Sequence, residues 1–275
     1  MERLDIVLVQ RGLAESRHQA KRLIMAGVVR VNNNSKLKPG QRIDPDSEIE
    51  LKQPPKYVSR GGLKLEKALD EFNVPVKDKV AIDIGASTGG FTDCLLQHDA
   101  ECVYAVDVGY GQLAWKLRKN PRVKVLERTN IRHIDQRHFP NTIDIAVIDV
   151  SFISLQKVLP VVVEKLGITD IIALVKPQFE AGRVHVKKGG IVDDPDVHIS
   201  TLINLINFAH RSLSIKTKGL TFSPIHSDIV NIEYLLWLNK STSIQNMNAD
   251  ITNFVSDVVK TAHLTFYRDN LQNWN

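Results

Sequence analysis

The period of the hydrophobic positions changes close to residue 60. Ahead of that point, apolar residues recur three and four apart in two short stretches, which predicts two amphipathic helices. Gly12 stands where a C-cap would end the first helix, and Ser16 is a good N-cap for the second. Two short apolar runs then predict strands, separated by Asn-rich and Pro-Gly turns. The predicted elements are helices over residues 4–11 and 17–26 and strands over residues 28–32 and 49–51.

Beyond residue 60 the pattern is that of a larger domain. A helical stretch with Leu65 and Leu69 on one side comes first, and near-continuous apolar runs then alternate with helical patterns. Such runs indicate parallel strands that helices bury on both faces. The predicted strands cover residues 80–84, 102–107, 123–126, 143–149 and 171–175, with a final pair over 214–221 and 231–238.

These patterns predict two domains joined by a short linker. We expect a small α+β domain over residues 1–53 and a doubly wound, mostly parallel α/β domain over residues 60–275. Residues 54–59, which begin with two prolines, are the predicted linker.

Composition supports folded domains and excludes several classes of protein. The 275 residues are 43% hydrophobic and 24% charged, which excludes wholesale disorder. No stretch reaches the roughly 20 apolar residues of a membrane span, and the charged residues 1–5 are unlike a secretory signal. Cys94 and Cys102 fit neither a disulfide framework nor a zinc cluster, so we expect a reduced, cytoplasmic protein without a metal ion.

The net charge of +5 is unevenly distributed. Residues 1–60 carry 12 basic and 7 acidic side chains, whereas the remaining residues carry 24 of each. The excess therefore lies at the front of the chain, which points to a small polyanion-binding module ahead of a neutral body. A solvated basic surface without a partner is the alternative.

The small domain resembles the S4-type RNA-binding domain. A helix pair followed by a small hairpin carries this resemblance, and the matching segments are residues 3–5, 16–20, 24–32 and 38–43. Basic side chains on the second helix would contact phosphates and fix position without reading sequence. An ordinary solvated amphipathic helix is the alternative. The candidate RNA contacts are Arg3, Arg17, His18, Lys21 and Arg22.

A glycine-rich loop follows the first strand of the large domain. Asp83 lies near the end of that strand, and Gly85, Gly89 and Gly90 allow the backbone to turn tightly and approach a ligand. The spacing differs from the dinucleotide-binding Gly-x-Gly-x-x-Gly, and no Lys-Ser/Thr follows to make a phosphate loop. Asp107, at the end of the second strand, is placed to bind a ribose hydroxyl pair.

This order of acid, glycine-rich loop and second acid resembles that of S-adenosylmethionine-dependent methyltransferases. Other nucleoside cofactors are also compatible with it. An ordinary βα turn shaped by glycines is the structural alternative.

Charged residues stand at the ends of several apolar strands, where an unpaired buried charge would be unfavourable. Asp149 ends the fourth strand, Lys176 ends the fifth, and Glu233 opens the last, while Lys64 lies on the entry helix. Each one taken singly is as compatible with a structural salt bridge as with catalysis. Asp149 and Lys176 stand at successive strand ends that face the crevice of the glycine-rich loop, which favours catalysis for those two.

Lys64, Asp149, Lys176 and Glu233 resemble the Lys-Asp-Lys-Glu tetrad of the FtsJ-like RNA 2′-O-ribose methyltransferases. The residues of four motifs resemble those of the hemolysin A (TlyA) family still more closely. This resemblance covers nearly the whole chain, including the front domain. The matching motifs are residues 59–65, 85–93, 105–113 and 176–180. The last 25 or so residues carry no comparable motif.

The resemblance implies a Rossmann-like enzyme that moves a methyl group from S-adenosylmethionine to the ribose 2′-hydroxyl of a cytidine in ribosomal RNA (16S, 23S or both). It implies that Lys176 activates the hydroxyl while Lys64, Asp149 and Glu233 orient it. Burial and the Lys64 ammonium would favour a neutral, basic Lys176, whereas the two carboxylates would favour its charged form, and the sequence leaves the balance open. The implied cofactor contacts are Asp83, Gly85, Ser87, Gly89, Gly90, Asp107, Asn130 and Ile131.

The implied partners are ribosomal RNA or ribosomal subunits, and no membrane is expected. The Gly- and Lys-rich segment 181–195 is expected to be a mobile loop that either touches RNA or is simply solvated. Neither the modified nucleotide nor the oligomeric state follows from the sequence.

Four other functions compete with this interpretation. A pseudouridine synthase also carries an S4-type domain, but it would leave the glycine-rich loop and Asp107 without a purpose. An RNA-binding assembly factor could keep the fold without catalysis. A cytolysin, which the family name suggests, is supported by neither a membrane span nor a long amphipathic, Lys-rich segment, and a secondary lytic effect stays open as an alternative. A dehydrogenase is the weakest alternative, because the glycine spacing is wrong.

Overall fold

The structure, a computed structural model, describes residues 1–25, 27–34, 37–52, 55–225, 231–240 and 251–267. The chain divides into two compact units, Met1–Lys56 and Tyr57–Asn275. The division falls inside the predicted linker.

Residues 57–59, the end of the predicted linker, are packed into the second unit. Tyr57 is buried, and its hydroxyl donates a hydrogen bond to Glu66 at 2.8 Å. The Val58 amide donates to Asp93 at 2.8 Å. These contacts attach the start of the second unit to its first two helices.

Two helices and two small antiparallel sheets form the first unit. The elements are β1 (Glu2–Arg3), α1 (Leu4–Gln10), α2 (Arg17–Met25), β2 (Val29–Val31), β3 (Arg42–Ile43) and β4 (Ile49–Leu51). β1 pairs with β3, and β2 pairs with β4. Buried apolar residues from both helices and from β2 make the core, among them Leu4, Leu8, Ile24 and Val29. The small α+β domain expected from the sequence is confirmed.

A buried carboxylate ties α1 to α2. Asp5 is fully buried and accepts hydrogen bonds from Arg3 at 3.0 Å and from Arg17 at 3.2 Å. The Arg3 guanidinium, together with Arg17, lowers the pKa of Asp5 to about 2 although burial opposes the shift. Both arginines remain partly exposed. They therefore have a structural partner within the unit besides any role at its surface.

The second unit is built on a seven-stranded sheet. Its strands are β5 (Val80–Ile84), β6 (Cys102–Val106), β7 (Val123–Leu126), β8 (Ile145–Ile148), β9 (Asp170–Val175), β10 (Lys216–Phe222) and β11 (Tyr234–Asn239). The strand order is β10-β11-β9-β8-β5-β6-β7, and the pairs that involve β11 are antiparallel while the others are parallel. The doubly wound, mostly parallel sheet expected from the sequence is confirmed.

Helices cover both faces of the sheet, although two crossovers are made of shorter turns. The helices are α3 (Gly61–Phe72), α4 (Gly90–Gln97), α5 (Trp115–Arg118), α6 (Pro177–Glu180), α7 (Pro195–Leu213) and α8 (Ile251–Phe266). α3 and α4 pack in the core on one face, and α7 and α8 pack in the core on the other. Between β8 and β9 the chain forms only a 3₁₀ turn and a π turn. Within the described ranges, none of the helices is long and apolar enough to cross a membrane.

The strand ends that carry the candidate site meet at one edge of this sheet. β6 and β8 flank β5 on opposite sides, so the topological switch point lies at the end of β5. There Ile84 is in register with Val106 and with Ile148. β11 runs antiparallel and begins with Tyr234 beside Val175, the last residue of β9. The carboxyl ends of the five parallel strands, β5 to β9, and the start of β11 therefore share this edge.

A buried histidine near the start of α7, His198, connects several parts of the second unit. His198 Nε2 contacts the Val192 carbonyl at 2.8 Å, and since a carbonyl only accepts, Nε2 carries the proton. Nδ1 then accepts from the Tyr234 hydroxyl at 2.7 Å. His263 of α8 lies 3.2 Å from the same Nδ1. Burial, with a contribution from His198, lowers the pKa of His263 to about 4.

His263→Gln should make the free energy of unfolding less sensitive to acid. Between its pKa of about 4 and the ordinary value of 6.5, His263 is neutral in the folded protein and charged in the unfolded chain. The wild type therefore loses stability as the pH falls through this window, whereas glutamine does not titrate and keeps a donor for His198. Urea unfolding at about pH 7.5 and about pH 5 measures the difference. An equal loss in both proteins would contradict the expectation.

Candidate active site

A cavity of about 890 Å³ opens at the edge where the strand ends meet. The ends of β5, β6 and β8 and residues of α6 form its walls. Five of the eight predicted cofactor residues line it, and three do not. The lining residues are Gly85, Ser87, Asp107, Asn130 and Ile131, and the others are Asp83, Gly89 and Gly90.

The loop glycines are required by close packing. Gly85 has a φ of +89°, and a Cβ there would lie 2.3 Å from the carbonyl oxygen of Asp149. A Cβ at Gly89 would lie 2.3 Å from a methyl group of Leu117. At Gly90 the same atom would lie 2.3 Å from the Ser59 hydroxyl oxygen. Gly85 thus lets the loop pass beside the β8 end at the cavity, while Gly89 and Gly90 seat it on neighbouring elements.

Asp83 lies inside the fold and braces the loop. It is fully buried, and its Oδ2 accepts hydrogen bonds from the Thr92 amide at 2.9 Å and the Thr92 hydroxyl at 2.6 Å. Its Oδ1 is buried without a hydrogen-bond partner among the described residues. Burial raises the pKa of Asp83 to about 7, to which Asp149 and Asp107 contribute while the Thr92 bonds oppose it.

Asp107 presents a partly satisfied carboxylate to the cavity. Its Oδ2 accepts from the Ser87 amide at 2.7 Å, and its Oδ1 accepts from the Gly109 amide at 2.6 Å. An ionised carboxylate offers about four lone-pair sites, so two further donors can be accommodated. This is the capacity that a ribose hydroxyl pair requires.

Asn130 and Ile131 follow β7 on the same side of the cavity. The Asn130 side chain accepts from the Arg132 amide at 3.1 Å and caps the short 3₁₀ turn that follows. Ile131 is buried in the core and contributes an apolar wall. The pair therefore combines a fixed polar group with an apolar surface, which suits a flat heterocycle.

The four tetrad residues form two ion pairs at the edge of the sheet. Lys176 Nζ lies 2.6 Å from Asp149 Oδ1 and donates to the Ser151 hydroxyl at 3.1 Å. Lys64 of α3 forms a short ion pair with Glu233, whose side chain is buried. Glu233 precedes Tyr234, so the antiparallel register places it one step beyond the last paired residue, beside Lys176. Of the four, Asp149 lines the cavity itself.

Two aromatic residues at the cavity were missed by the sequence analysis. Phe152 is 90% exposed and has a φ of +63°, a left-handed conformation that is rare for a bulky side chain. Its ring centroid lies 5.1 Å from that of Phe179, and both residues line the cavity. An exposed, strained aromatic residue beside a cavity is a functional signal. The sequence pattern gives no signal that predicts this left-handed backbone conformation.

The loop that carries Phe152 is fastened to α6. Glu180 accepts from the Ser154 hydroxyl at 2.6 Å and from the Leu155 amide at 2.7 Å. Burial raises the pKa of Glu180, against these hydrogen bonds. Glu180 therefore holds α6 and the loop after β8, both of which line the cavity, in a fixed relation.

The candidate RNA contacts of the first unit fall into two groups. Arg3 and Arg17 are bound to Asp5, as described above. His18, Lys21 and Arg22 are exposed along α2. The second group leaves its charges directed to solvent, where phosphates could be reached.

The comparisons with known proteins agree with this geometry. The family model of the FtsJ-like methyltransferases matches residues 57–240, and that of the S4 domain matches residues 2–49. YqxC of Bacillus subtilis, provisionally named an rRNA methyltransferase, is 54% identical over 96% of this chain and 95% of its own. The Mycobacterium tuberculosis 16S/23S rRNA (cytidine-2′-O)-methyltransferase TlyA is 43% identical over 87% of this chain and 90% of its own.

A solved structure shows the same likeness across the chain. It comes from Streptococcus thermophilus, is provisionally described as a hemolysin, and is 46% identical with a TM-score of 0.74. The match covers 98% of both chains. Because the methyltransferase model spans more than half of the residues and the relatives span both units, the chain belongs to the FtsJ-like methyltransferase family, with an S4 domain at its front.

Proposed function

We propose that the protein transfers a methyl group from S-adenosylmethionine to the ribose 2′-hydroxyl of a cytidine in ribosomal RNA, 16S, 23S or both. The observation that carries the proposal is the Lys176–Asp149 pair at the cavity, with the Lys64–Glu233 pair beside it. Family membership supports methyl transfer, and the name of the Mycobacterium tuberculosis relative supports the cytidine substrate. Such a substrate places the site of action in the cytoplasm.

The residues at the cavity fit this cofactor. A volume of about 890 Å³ lies within the range of ordinary small-molecule sites. Asp107 can accept the two ribose hydroxyls, and Ile131 with Asn130 can flank the adenine. Gly85 and Ser87 lie where the methionine part would run. When bound, S-adenosylmethionine supplies an electrophilic methyl group on a sulfonium sulfur.

Lys176 is the residue that we assign to the acceptor hydroxyl. A ribose hydroxyl is a weak nucleophile at neutral pH, so a neutral amine at Nζ would take its proton as the oxygen bonds to the methyl carbon and the methyl–sulfur bond breaks, with its electron pair staying on the sulfur of the departing S-adenosylhomocysteine. Asp149 Oδ1 lies 2.6 Å from Nζ. Asp149 and Ser151 fix the position of Nζ.

We assign to Lys64 and Glu233 the role of positioning the substrate ribose. The two side chains form an ion pair that is largely withdrawn from solvent, so their opposite charges compensate one another. Their hydrogen-bonding capacity beyond the pair is available to sugar hydroxyls. The aromatic faces of Phe152 and Phe179 are assigned to the base of the substrate nucleotide.

Replacing Lys176 tests the assignment. Lys176→Ala should abolish methyl transfer while S-adenosylmethionine affinity stays within about twofold of wild type, because the cofactor residues are untouched. Lys176→Arg keeps a positive charge near Asp149 but cannot accept a proton, so it should also be inactive. Single-turnover tritium transfer to ribosomal RNA and calorimetry give the two readouts.

Transfer by Lys176→Arg at the wild-type rate would contradict a role as base. Cofactor binding by the wild type without any transfer would favour a non-catalytic assembly factor.

Lys21 and Arg22 are proposed to contact phosphates of the RNA. The double variant Lys21→Ala/Arg22→Ala should weaken RNA binding and reduce the slope of log affinity against log salt by about one to two. Lys77→Ala is the matched control, because Lys77 is also exposed but precedes β5 at the opposite edge of the sheet. Filter binding over a salt series measures both. An unchanged slope in the double variant would remove these two residues from the interface.

Asp83→Asn separates bracing of the loop from cofactor binding. Between about pH 4 and about pH 7, Asp83 in the folded protein holds a proton that it has lost in the unfolded chain. The free energy of unfolding of the wild type therefore falls as the pH rises through this window. Asp83→Asn should abolish this part of the pH dependence. If Asp83 also contacts the cofactor, the affinity should fall by about tenfold. Chemical unfolding and calorimetry measure the two effects. Asp78→Asn, at an exposed position, is the control. Unchanged cofactor affinity would leave Asp83 with the structural role alone.

A further inference from the structure

Gln178 carries a side-chain oxygen that has no hydrogen-bond partner among the described residues. It lies in α6, two residues after Lys176, and it lines the cavity. Its Oε1 is buried and has no hydrogen-bond partner among the described residues. Buried amides are nearly always hydrogen-bonded, so an unpartnered one at a cavity has the capacity to bind a donor there, from a ligand or from an ordered water.

The surroundings of Gln178 place it on the substrate side of the cavity. In sequence it lies between Lys176, assigned to the acceptor hydroxyl, and Phe179, whose ring contacts that of Phe152. The cofactor residues Asp107 and Asn130 come from β6 and β7, on the other side of the switch point. α6 is also held rigidly, because Glu180 binds Ser154 and Leu155.

The chemistry of an amide suits the edge of a nucleobase. A glutamine side chain presents an acceptor oxygen beside a nitrogen with two donors. Cytosine presents an exocyclic amine as donor beside the N3 acceptor, which is the complementary arrangement. Aromatic faces that hold an unstacked base and a polar group that reads its edge are the usual combination in recognition of single nucleotides in RNA.

We propose that Gln178 determines base specificity by accepting a hydrogen bond from the exocyclic amine of the target cytosine. This rests on the proposed function, and it assigns to Gln178 a contact with the base that differs from the ribose contacts of the tetrad. A site built to hydrogen-bond a polar group rejects an analogue that lacks the group, because the protein atom is then left unpaired.

The test pairs a deletion in the protein with a deletion in the substrate. The target is first located by mapping 2′-O-methyl sites, and ribosomal RNA is then prepared with cytidine or with 2-pyrimidinone riboside, which lacks the amine, at that position. Wild-type kcat/KM should fall by about tenfold or more when the amine is removed. Gln178→Leu should be slower on cytidine by a similar factor and should lose nothing further on the analogue. The two deletions are therefore expected to be non-additive.

Gln112→Leu is the matched control. Gln112 also lines the cavity, but it contacts the Ser87 hydroxyl at 3.3 Å, on the cofactor side. This variant should change cofactor affinity and keep the full preference for the amine, whereas Gln178→Leu should bind cofactor like the wild type. Calorimetry with S-adenosylmethionine also shows that each variant is folded.

The outcomes separate the two proposals. A wild type that binds cofactor but methylates no cytidine would overturn the proposed function. A wild type that methylates cytidine, combined with a Gln178→Leu variant that still discriminates against the analogue, would overturn the role of Gln178 alone.

Discussion

The antiparallel pairing of β11 with β9 is the constraint on which the site depends. Because Tyr234 pairs with Val175, Glu233 stands at the carboxyl edge of the parallel strands and meets Lys64 there. A slip of one residue would turn each side chain of β11 to the opposite face and leave Lys64 without its carboxylate. Leu235 packs in the core on one face of the sheet and Leu236 and Leu238 pack in the core on the other, so a slip would also exchange these core contacts. Core packing thus sets the geometry of the charges.

The same edge explains how a neutral body can hold strong local charge. Two ammonium groups and two carboxylates are brought together as pairs, so the group as a whole is balanced although its members are mostly withdrawn from water. Pairing limits the penalty of burial, and the low dielectric makes each charge more effective toward a bound substrate. The basic excess is kept at the front of the chain, where α2 exposes His18, Lys21 and Arg22. In the proposed function, attraction of RNA and chemistry on RNA are therefore served by different charges.

Much of the fold could be predicted because it follows local patterns. The strand ends are visible as acids and lysines that interrupt apolar runs, and parallel topology brings such ends to one edge. Other features depend on tertiary contacts. Arg3 and Arg17 share the buried Asp5, and no charge count could foresee this. Gly90 owes its identity to Ser59, which is distant in sequence. The left-handed Phe152 is fixed by the surrounding fold, because intrinsic preference opposes its conformation.

The packing of residues 57–59 has a consequence for dividing the chain. A Cβ at Gly62 would lie 2.2 Å from Tyr57 Cγ, which shows how closely this aromatic ring is seated on α3, and Ser59 fits against Gly90 in the same way. A fragment that began at residue 60 would lose both side chains and leave hollows beside the glycine-rich loop. Water entering those hollows would weaken the packing of this loop on α3. A fragment that keeps the packing of the second unit therefore has to include Tyr57, three residues before the change in hydrophobic period.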